Sequence, residues 1–92
     1  MTEDSRLVQR HLDGDPQAFG ALVDRYQAHL LAFVNGIVGD RERAEDLVLD
    51  VFIRIYRHVR SFDRRREFRA WIYAIASGLA EAAPRGRLHP RS

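Results

Sequence analysis

The chain has 92 residues and a formal net charge of +2, the size of one small domain with a modest core. It contains no cysteine, which excludes disulfide bonds and thiolate metal sites. No apolar run approaches the roughly 20 residues that cross a bilayer, and the N-terminal MTEDSR lacks the apolar stretch of a signal peptide. We therefore expect a cytoplasmic protein without membrane insertion.

The predicted first helix covers about residues 3–13, where Leu7, Val8 and Leu12 are apolar. Gly14 and Asp15 then predict a break, with Asp15 as the candidate N-cap of a second helix and the following proline in its first turn. Apolar residues recur at three- and four-residue steps along this second helix, which predicts one buried face. They are Phe19, Leu22, Val23, Tyr26, Leu30, Phe33, Val34 and Ile37.

Gly39 and Asp40 predict the next break, with Asp40 as the N-cap of a third helix over about residues 41–60. Its predicted inward face comprises Ala44, Leu47, Val48, Val51, Phe52, Ile55 and Val59. A loop at about residues 61–66 leads to a fourth helix that ends by Pro84, because proline lacks the helical N–H. The predicted core residues of that helix are Phe68, Trp71, Ile72, Ile75 and Leu79. The pattern predicts an all-α fold, a compact bundle of four helices over residues 1–83, with residues 84–92 as a disordered tail.

The third helix carries a second apolar stripe formed by Leu49, Ile53 and Tyr56, displaced from the stripe assigned to the core. A surface helix needs only one apolar face. Two explanations stay open: another helix covers the second stripe, or the stripe is a docking site for a partner. The charged residues that flank it are Asp46, Asp50, Arg54 and Arg57.

The basic residues are concentrated in the second half of the chain. Residues 1–50 carry 5 Arg and 10 acidic residues, a net charge of −5, whereas residues 51–92 carry 10 Arg and 3 acidic residues, a net charge of +7. Such asymmetry indicates a polyanionic or acidic partner for the second half. Three consecutive arginines at 64–66 precede an aromatic-rich helix, which fits either a solvated loop or a surface for unpaired nucleic acid.

Catalytic signatures are missing from the sequence. The histidines, His11, His29, His58 and His89, show no metal-ligand spacing, and no phosphate-binding glycine loop occurs. Asp46 and Asp50 share a face, but no third ligand joins them at chelating spacing. We therefore predict a protein that is not an enzyme and that holds no metal and no cofactor.

Three blocks of the sequence, within about residues 15–76, resemble region 2 of bacterial RNA polymerase sigma factors of the extracytoplasmic-function (ECF) group. DPQAFGALVDRY is similar to the opening of the family's region 2. AEDLVLDVFIRIYRHVRSF resembles the helix that binds core polymerase, and EFRAWIYAIA resembles the start of the helix that reads the promoter. Their order and spacing make the resemblance specific, although each block alone also fits an ordinary amphipathic helix.

The resemblance implies two partners, core RNA polymerase and promoter DNA, and allows an anti-sigma factor as a third. It implies that the third helix docks on the clamp helices of the polymerase β′ subunit, and that the following loop captures a base of the non-template strand of the −10 element. The implied polymerase-binding residues are Asp46, Leu49, Asp50, Ile53, Arg54 and Arg57. The implied DNA-binding residues are Phe62, Arg64, Arg65, Arg66, Arg69, Trp71 and Tyr73, with Phe68 and Trp71 also fitting the buried stripe.

The chain departs from the family pattern at several positions. Ser77 and Gly78 stand where the family usually has an Arg-Asn pair that helps to read the promoter, and Leu49 stands where a glutamine is common. No second domain, which in the family reads the −35 element, is expected in these 92 residues. Three hypotheses follow: a promoter-melting sigma domain, an interaction module for polymerase or an anti-sigma factor with weak DNA reading, or a generic arginine-rich nucleic-acid binder.

Overall fold

The computed structural model describes residues 2–83, and these form four α-helices and one 3-10 turn, with no strand among them. The helices are α1 (Glu3–Leu12), α2 (Ala18–Val38), α3 (Arg41–His58) and α4 (Phe68–Ala82), and the 3-10 turn Val59–Ser61 extends α3. The predicted all-α bundle is therefore confirmed. The predicted disordered tail lies outside the described residues.

Local capping explains the junction between α2 and α3. The side chain of Asp40 accepts hydrogen bonds from the backbone N–H groups of Glu42 and Arg43, so it caps α3 as predicted. Gly39 ends α2 in the left-handed conformation, with φ of 71°, which glycine adopts without a steric cost. Asp15 differs from its prediction, because its carboxylate accepts from the N–H of Gln17 within a turn and α2 begins only at Ala18.

Helix α2 lies at the centre of the fold and packs against α1, α3 and α4. Its buried positions follow a line of four-residue steps: Ala18, Leu22, Tyr26, Leu30, Val34 and Val38. This line is narrower than the predicted stripe. Phe33 is 36% exposed, which corrects its predicted place in the core, and Phe19, Val23 and Ile37 are only half-buried. Helical periodicity identifies an apolar sector but does not show how far the neighbouring helices cover its edges.

The remaining helices contribute most of the rest of the core, which also includes Val59 and Phe62. Their buried residues are Leu7 and Val8 from α1, Ala44, Val48, Val51, Phe52 and Ile55 from α3, and Phe68, Ile72, Ala76 and Ala80 from α4. Leu12, Leu47, Trp71, Ile75 and Leu79 are only partly buried. The predicted inward faces of α3 and α4 are thus correct in direction, with partial exposure at their edges.

A polar contact joins the start of α1 to α2. The hydroxyl of Tyr26 donates a hydrogen bond to the carboxylate of Asp4, and Arg25 Nε donates to the same carboxylate at 2.8 Å. Burial of the phenol and its bond to Asp4 raise the pKa of Tyr26 to about 12. These two hydrogen bonds connect the first turn of α1 to α2.

Candidate functional site

The second apolar stripe of α3 is not covered by any described helix. Leu49, Ile53 and Tyr56 are 61%, 40% and 59% exposed, respectively, although all three are large hydrophobic residues. The explanation that another helix buries this stripe is therefore wrong for residues 2–83. Contiguous exposed apolar surface of this kind typically marks an interaction site.

The stripe forms one wall of a groove between α2 and α3, with a volume of about 570 Å³. Phe19, Val23, Gln27 and Leu31 of α2 form the opposite wall, while Val48 and Phe52 of α3 contribute to the groove from the edge of the core. Most of the lining is apolar, and Glu45 and Arg57 are the charged residues that border it. The sequence identified the α3 wall of this groove but missed the α2 wall, because Phe19 and Val23 were assigned to the core.

Exposed charges lie along α3 beside the groove. Asp46, Asp50, Arg54 and Arg57 form no ion pair with any other described residue, including the possible pair Asp50–Arg54. Their charges are therefore available to a partner. The structure thus brings together the six residues that the resemblance implies for polymerase binding on one exposed face of α3.

Three rings meet at one end of the groove. His11 of α1, Phe19 of α2 and Tyr56 of α3 have ring centroids 5.1–5.4 Å apart in every pairwise combination. The Phe19–Tyr56 pair is edge-to-face, an arrangement that aromatic quadrupoles favour. Sequence reasoning missed this cluster, because no pattern within one helix indicates a contact between three.

The loop between the 3-10 turn and α4 carries Arg64, Arg65 and Arg66, and we call it the arginine loop. One of these three arginines is paired with a carboxylate of the same loop. Arg65 donates from Nε and Nη2 to the carboxylate of Asp63, at 3.0 and 3.1 Å, and its backbone N–H binds the same carboxylate. These hydrogen bonds hold the pKa of Asp63 below its ordinary value, with the side chain of Arg65 as the larger cause. Arg64 and Arg66 form no ion pair within residues 2–83.

Phe62, which the resemblance implies for DNA binding, is a core residue, and this corrects its place on a DNA-facing surface. Only 8% of its surface is exposed. Its ring stacks on Trp71 with centroids 4.7 Å apart and meets Phe68 edge-on at 5.7 Å. Because its position after the 3-10 turn directs the ring inward, Phe62 closes the core beneath the loop instead of facing solvent.

The aromatic candidates of α4 lie on two different faces. Arg69 lies over the ring of Tyr73, 5.4 Å from its centroid, and Tyr73 packs edge-on against Phe33 of α2 at 5.0 Å. Trp71 instead borders a shallow cleft between α3 and α4 that also contains Arg54 and Gly78. The structure therefore groups Arg69 with Tyr73 and separates both from Trp71.

A second cleft connects the arginine loop to the start of the chain. Arg65, Arg66 and Arg69 line it together with Thr2, Ser5 and Arg25. Its cations outnumber its acidic residues, Asp4 and Glu67, and Asp4 is already bound by Arg25 and Tyr26. Four arginines and two acidic residues therefore line this cleft, which makes it basic.

Residues 2–83 contain no cluster of three side chains that could hold a metal ion. None of the helices described is long and apolar enough to cross a bilayer. Gly78 lies on an exposed part of α4, and an added Cβ there would meet no atom within 4 Å.

Comparison with known proteins identifies one matching family model and several similar sigma factors. Residues 22–85 match the family model described as Sigma-70 region 2. The RNA polymerase sigma-H factor of Pseudomonas aeruginosa is 36% identical, over 98% of this chain and 48% of its own length. The ECF sigma factor SigW of Bacillus subtilis is 38% identical, over 80% of this chain and 40% of its own. The chain spans less than half the length of these two curated relatives.

A solved structure is similar over most of both chains. It is an NMR structure of an engineered region 2 of sigmaE in complex with GTAAAA. Its sequence is 39% identical, the TM-score is 0.78, and the match covers 88% of this chain and 87% of the other. The ECF sigma-E factor of Escherichia coli is itself 36% identical over 97% of this chain. The matched family model and these identities show that the chain belongs to the sigma-70 region 2 family and is similar to the ECF sigma factors.

Proposed function

We propose that this chain is the region 2 domain of an ECF-type sigma factor, which binds core RNA polymerase through the groove between α2 and α3 and holds the non-template strand of the −10 element through the arginine loop and α4. The observation that carries the proposal is the 39% identity and TM-score of 0.78 with a region 2 whose structure contains GTAAAA. The function includes no catalysis of its own and no cofactor, and its place is the cytoplasm, where polymerase works.

The polymerase half of the proposal rests on the exposed stripe. Leu49 and Ile53 present apolar side chains beside a groove, and aspartates and arginines flank them. An amphipathic helix binds such a groove by burying its apolar face and pairing its charges at the edges. The resemblance implies the clamp helices of the polymerase β′ subunit as the partner of α3, and we propose them as the occupant of this groove.

The DNA half rests on the charge of the loop and of the cleft beside it. Arg66 and Arg69 line that cleft, and Arg64 is free of ion pairs among residues 2–83. Guanidinium groups bind the phosphate oxygens of any sequence, so they position the strand. Sequence specificity comes from contacts to the bases. Tyr73, which lies beside Arg69, and Trp71 are both partly buried, and we assign the stacking role to them, since Phe62 is buried.

A second candidate function is an interaction module that binds polymerase or an anti-sigma factor but reads DNA weakly. The observation that favours it is Gly78, which offers no side chain to a base at the position where the family usually has asparagine. The polymerase groove is intact in this alternative.

Two measurements test these functions. The first is capture of core polymerase by the tagged chain, with Leu49→Arg as the negative control. The second is fluorescence anisotropy with labelled GTAAAA and with a scrambled hexamer. Capture together with preference for GTAAAA supports the promoter-binding domain, and capture without preference supports the interaction module. No capture of polymerase would refute both.

A further inference from the structure

The aromatic cluster of His11, Phe19 and Tyr56 joins α1 to the proposed polymerase-binding groove. Phe19 and Tyr56 line that groove, whereas His11 belongs to α1 and contacts both rings without lining the groove. The matched family segment begins at residue 22 and therefore includes neither His11 nor Phe19. The matched segment therefore assigns no role to the contact of His11 with these rings.

Tyr56 depends on its ring neighbours for its position. More than half of its surface is exposed, and its hydroxyl forms no hydrogen bond with another described residue. His11 and Phe19 approach its ring from two sides, with centroid distances of 5.4 and 5.1 Å. An exposed tyrosine without such neighbours would exchange between rotamers, and a partner would have to order it on binding.

We propose that His11 is a positioning residue for partner binding: its imidazole holds the Tyr56 ring against Phe19, so that the end of the groove has its binding shape before the partner arrives. Helix α1 is then part of the polymerase-binding surface through a residue that need not touch the polymerase. The inference rests on the proposed function, because it takes the β′ clamp helices as the partner.

The geometry agrees with a helical partner. Leu49, Ile53 and Tyr56 follow one another at four- and three-residue steps, so their side chains form a ridge of about two turns along α3. A partner helix that packs along this ridge ends its contact at Tyr56, where Phe19 closes the groove. Movement of Tyr56 would therefore change the length of the ridge that the partner contacts.

The test measures binding of a β′ clamp-helix fragment of bacterial RNA polymerase to the whole chain by isothermal titration calorimetry. A thermal unfolding curve is recorded for each variant, and the titrations are done at a temperature at which every variant is folded. We expect His11→Ala to weaken binding by about 3- to 10-fold, the size of one lost aromatic contact. His11→Phe keeps a ring in place and should restore most of the affinity. His29→Ala is the matched control, because His29 is exposed on α2 and makes no ring contact among residues 2–83.

A double-mutant cycle separates positioning from direct contact. If His11 acts through Tyr56, the double variant His11→Ala/Tyr56→Ala should bind no more weakly than Tyr56→Ala alone. Additive losses would overturn the inference, since they would mean that His11 contributes independently. Normal binding by His11→Ala would overturn it as well.

NMR of the free chain adds a measurement that does not depend on polymerase. Nuclear Overhauser contacts between the rings of Tyr56 and Phe19 should be present in the unmodified chain and in His29→Ala, and should be lost in His11→Ala. If they persist in His11→Ala, His11 does not hold the ring and the inference is wrong. If the unmodified chain shows these contacts yet binds no clamp-helix fragment, the proposed function fails, and with it the polymerase as the partner.

Discussion

Phe62 and Trp71 stack at the base of the arginine loop, with ring centroids 4.7 Å apart and an interplanar angle of 30°. The stack fixes the end of the 3-10 turn to α4, so the loop between them starts and ends on packed aromatic rings. The loop can therefore present Arg64 and Arg66 at a defined place even though their side chains are exposed.

We expect Phe62→Ala to reduce stability by about 3–5 kcal/mol, because it removes a buried ring from between Phe68 and Trp71. Phe62→Leu should cost less, since it keeps most of the buried volume. Urea unfolding monitored by circular dichroism measures both. A normal midpoint for Phe62→Ala, combined with weaker single-strand binding, would contradict the burial and restore a stacking role.

The arginine loop should account for part of the salt dependence of single-strand binding. Each guanidinium that neutralises a phosphate contributes about 0.7 to the slope of log K against log salt concentration. Replacing Arg64 and Arg66 with alanine should therefore flatten the slope by about 1.4 on any sequence, and replacing Arg65 as well should add little, because Asp63 holds its guanidinium. Anisotropy titrations with a −10-like strand at several salt concentrations measure this, and Arg60→Ala provides an exposed arginine outside the loop as the control. An unchanged slope in the triple variant would show that these arginines are only solvated.

Asp63→Asn should increase single-strand affinity, because it releases Arg65 from its bidentate partner and removes a negative charge. We expect the salt slope to steepen by up to about 0.7 if the released guanidinium binds a phosphate. The pKa of Asp63 is lowered, so its carboxylate stays charged between pH 5 and 8. A change of pH within this range therefore does not release Arg65, whereas the substitution does. Equal affinity of Asp63→Asn and the unmodified chain would mean that Arg65 is not limited by Asp63.

The groove should be sensitive to charge at its centre. Leu49→Arg and Ile53→Arg should each weaken binding of a clamp-helix fragment by about tenfold or more, because each places an unpaired cation in an apolar contact. The circular dichroism spectrum should not change, since both side chains are exposed in the free chain. Ala32→Arg, on an exposed part of α2 outside the groove, is the matched control. Unfolding of Leu49→Arg would instead place that residue in the core.

The pKa of Tyr26 predicts a loss of stability at high pH. In the unfolded chain the phenol ionises near its ordinary value of about 10, whereas in the folded chain it ionises near 12. Between these values the folded state holds the proton and the unfolded state has lost it, so the free energy of unfolding falls as the pH rises from about 10 to 12. This part of the decrease should be missing in Tyr26→Phe. Denaturant titrations at pH 8, 10 and 11 measure it; equal decreases in both proteins would contradict the raised pKa.

Gly78 separates helix stability from promoter reading. Gly78→Ala should stabilise α4 by up to about 1 kcal/mol, because an added Cβ meets no neighbouring atom. Gly78→Asn should stabilise α4 less. Unlike Gly78→Ala, it should improve discrimination between cognate and scrambled oligonucleotides, and the double variant Ser77→Arg/Gly78→Asn should show the largest improvement. The same discrimination in Gly78→Ala and Gly78→Asn would mean that the asparagine side chain does not read a base here.

Periodicity and capping predicted much of the fold. The break at Gly39 and Asp40, the four helices and the direction of their apolar faces all follow from spacing that local geometry enforces. The second apolar stripe of α3, with Leu49 and Ile53, was also recognised in the sequence, because one buried face accounts for only one stripe.

The errors arose where the outcome depends on tertiary contacts. The resemblance implied a DNA-binding role for Phe62 in the loop, yet its ring packs against Phe68 and Trp71 in the core. Phe33 was assigned to the core because it falls in the apolar sector of α2, yet no neighbouring helix covers it fully. The contact of His11 with Tyr56 joins residues 45 positions apart, and no local pattern encodes it.

The two-residue connection between α2 and α3 has a consequence for association kinetics. Gly39 is held in one backbone conformation by its hydrogen bond to Asn35, and Asp40 is held by two hydrogen bonds to the first turn of α3. With both residues of the connection held by these bonds, we expect the angle between the helices, and with it the width of the groove, to change little on binding. Encounter with a helical partner should then proceed in one concentration-dependent step, whose rate is limited by diffusion and by the charges beside Leu49, without a slower opening phase.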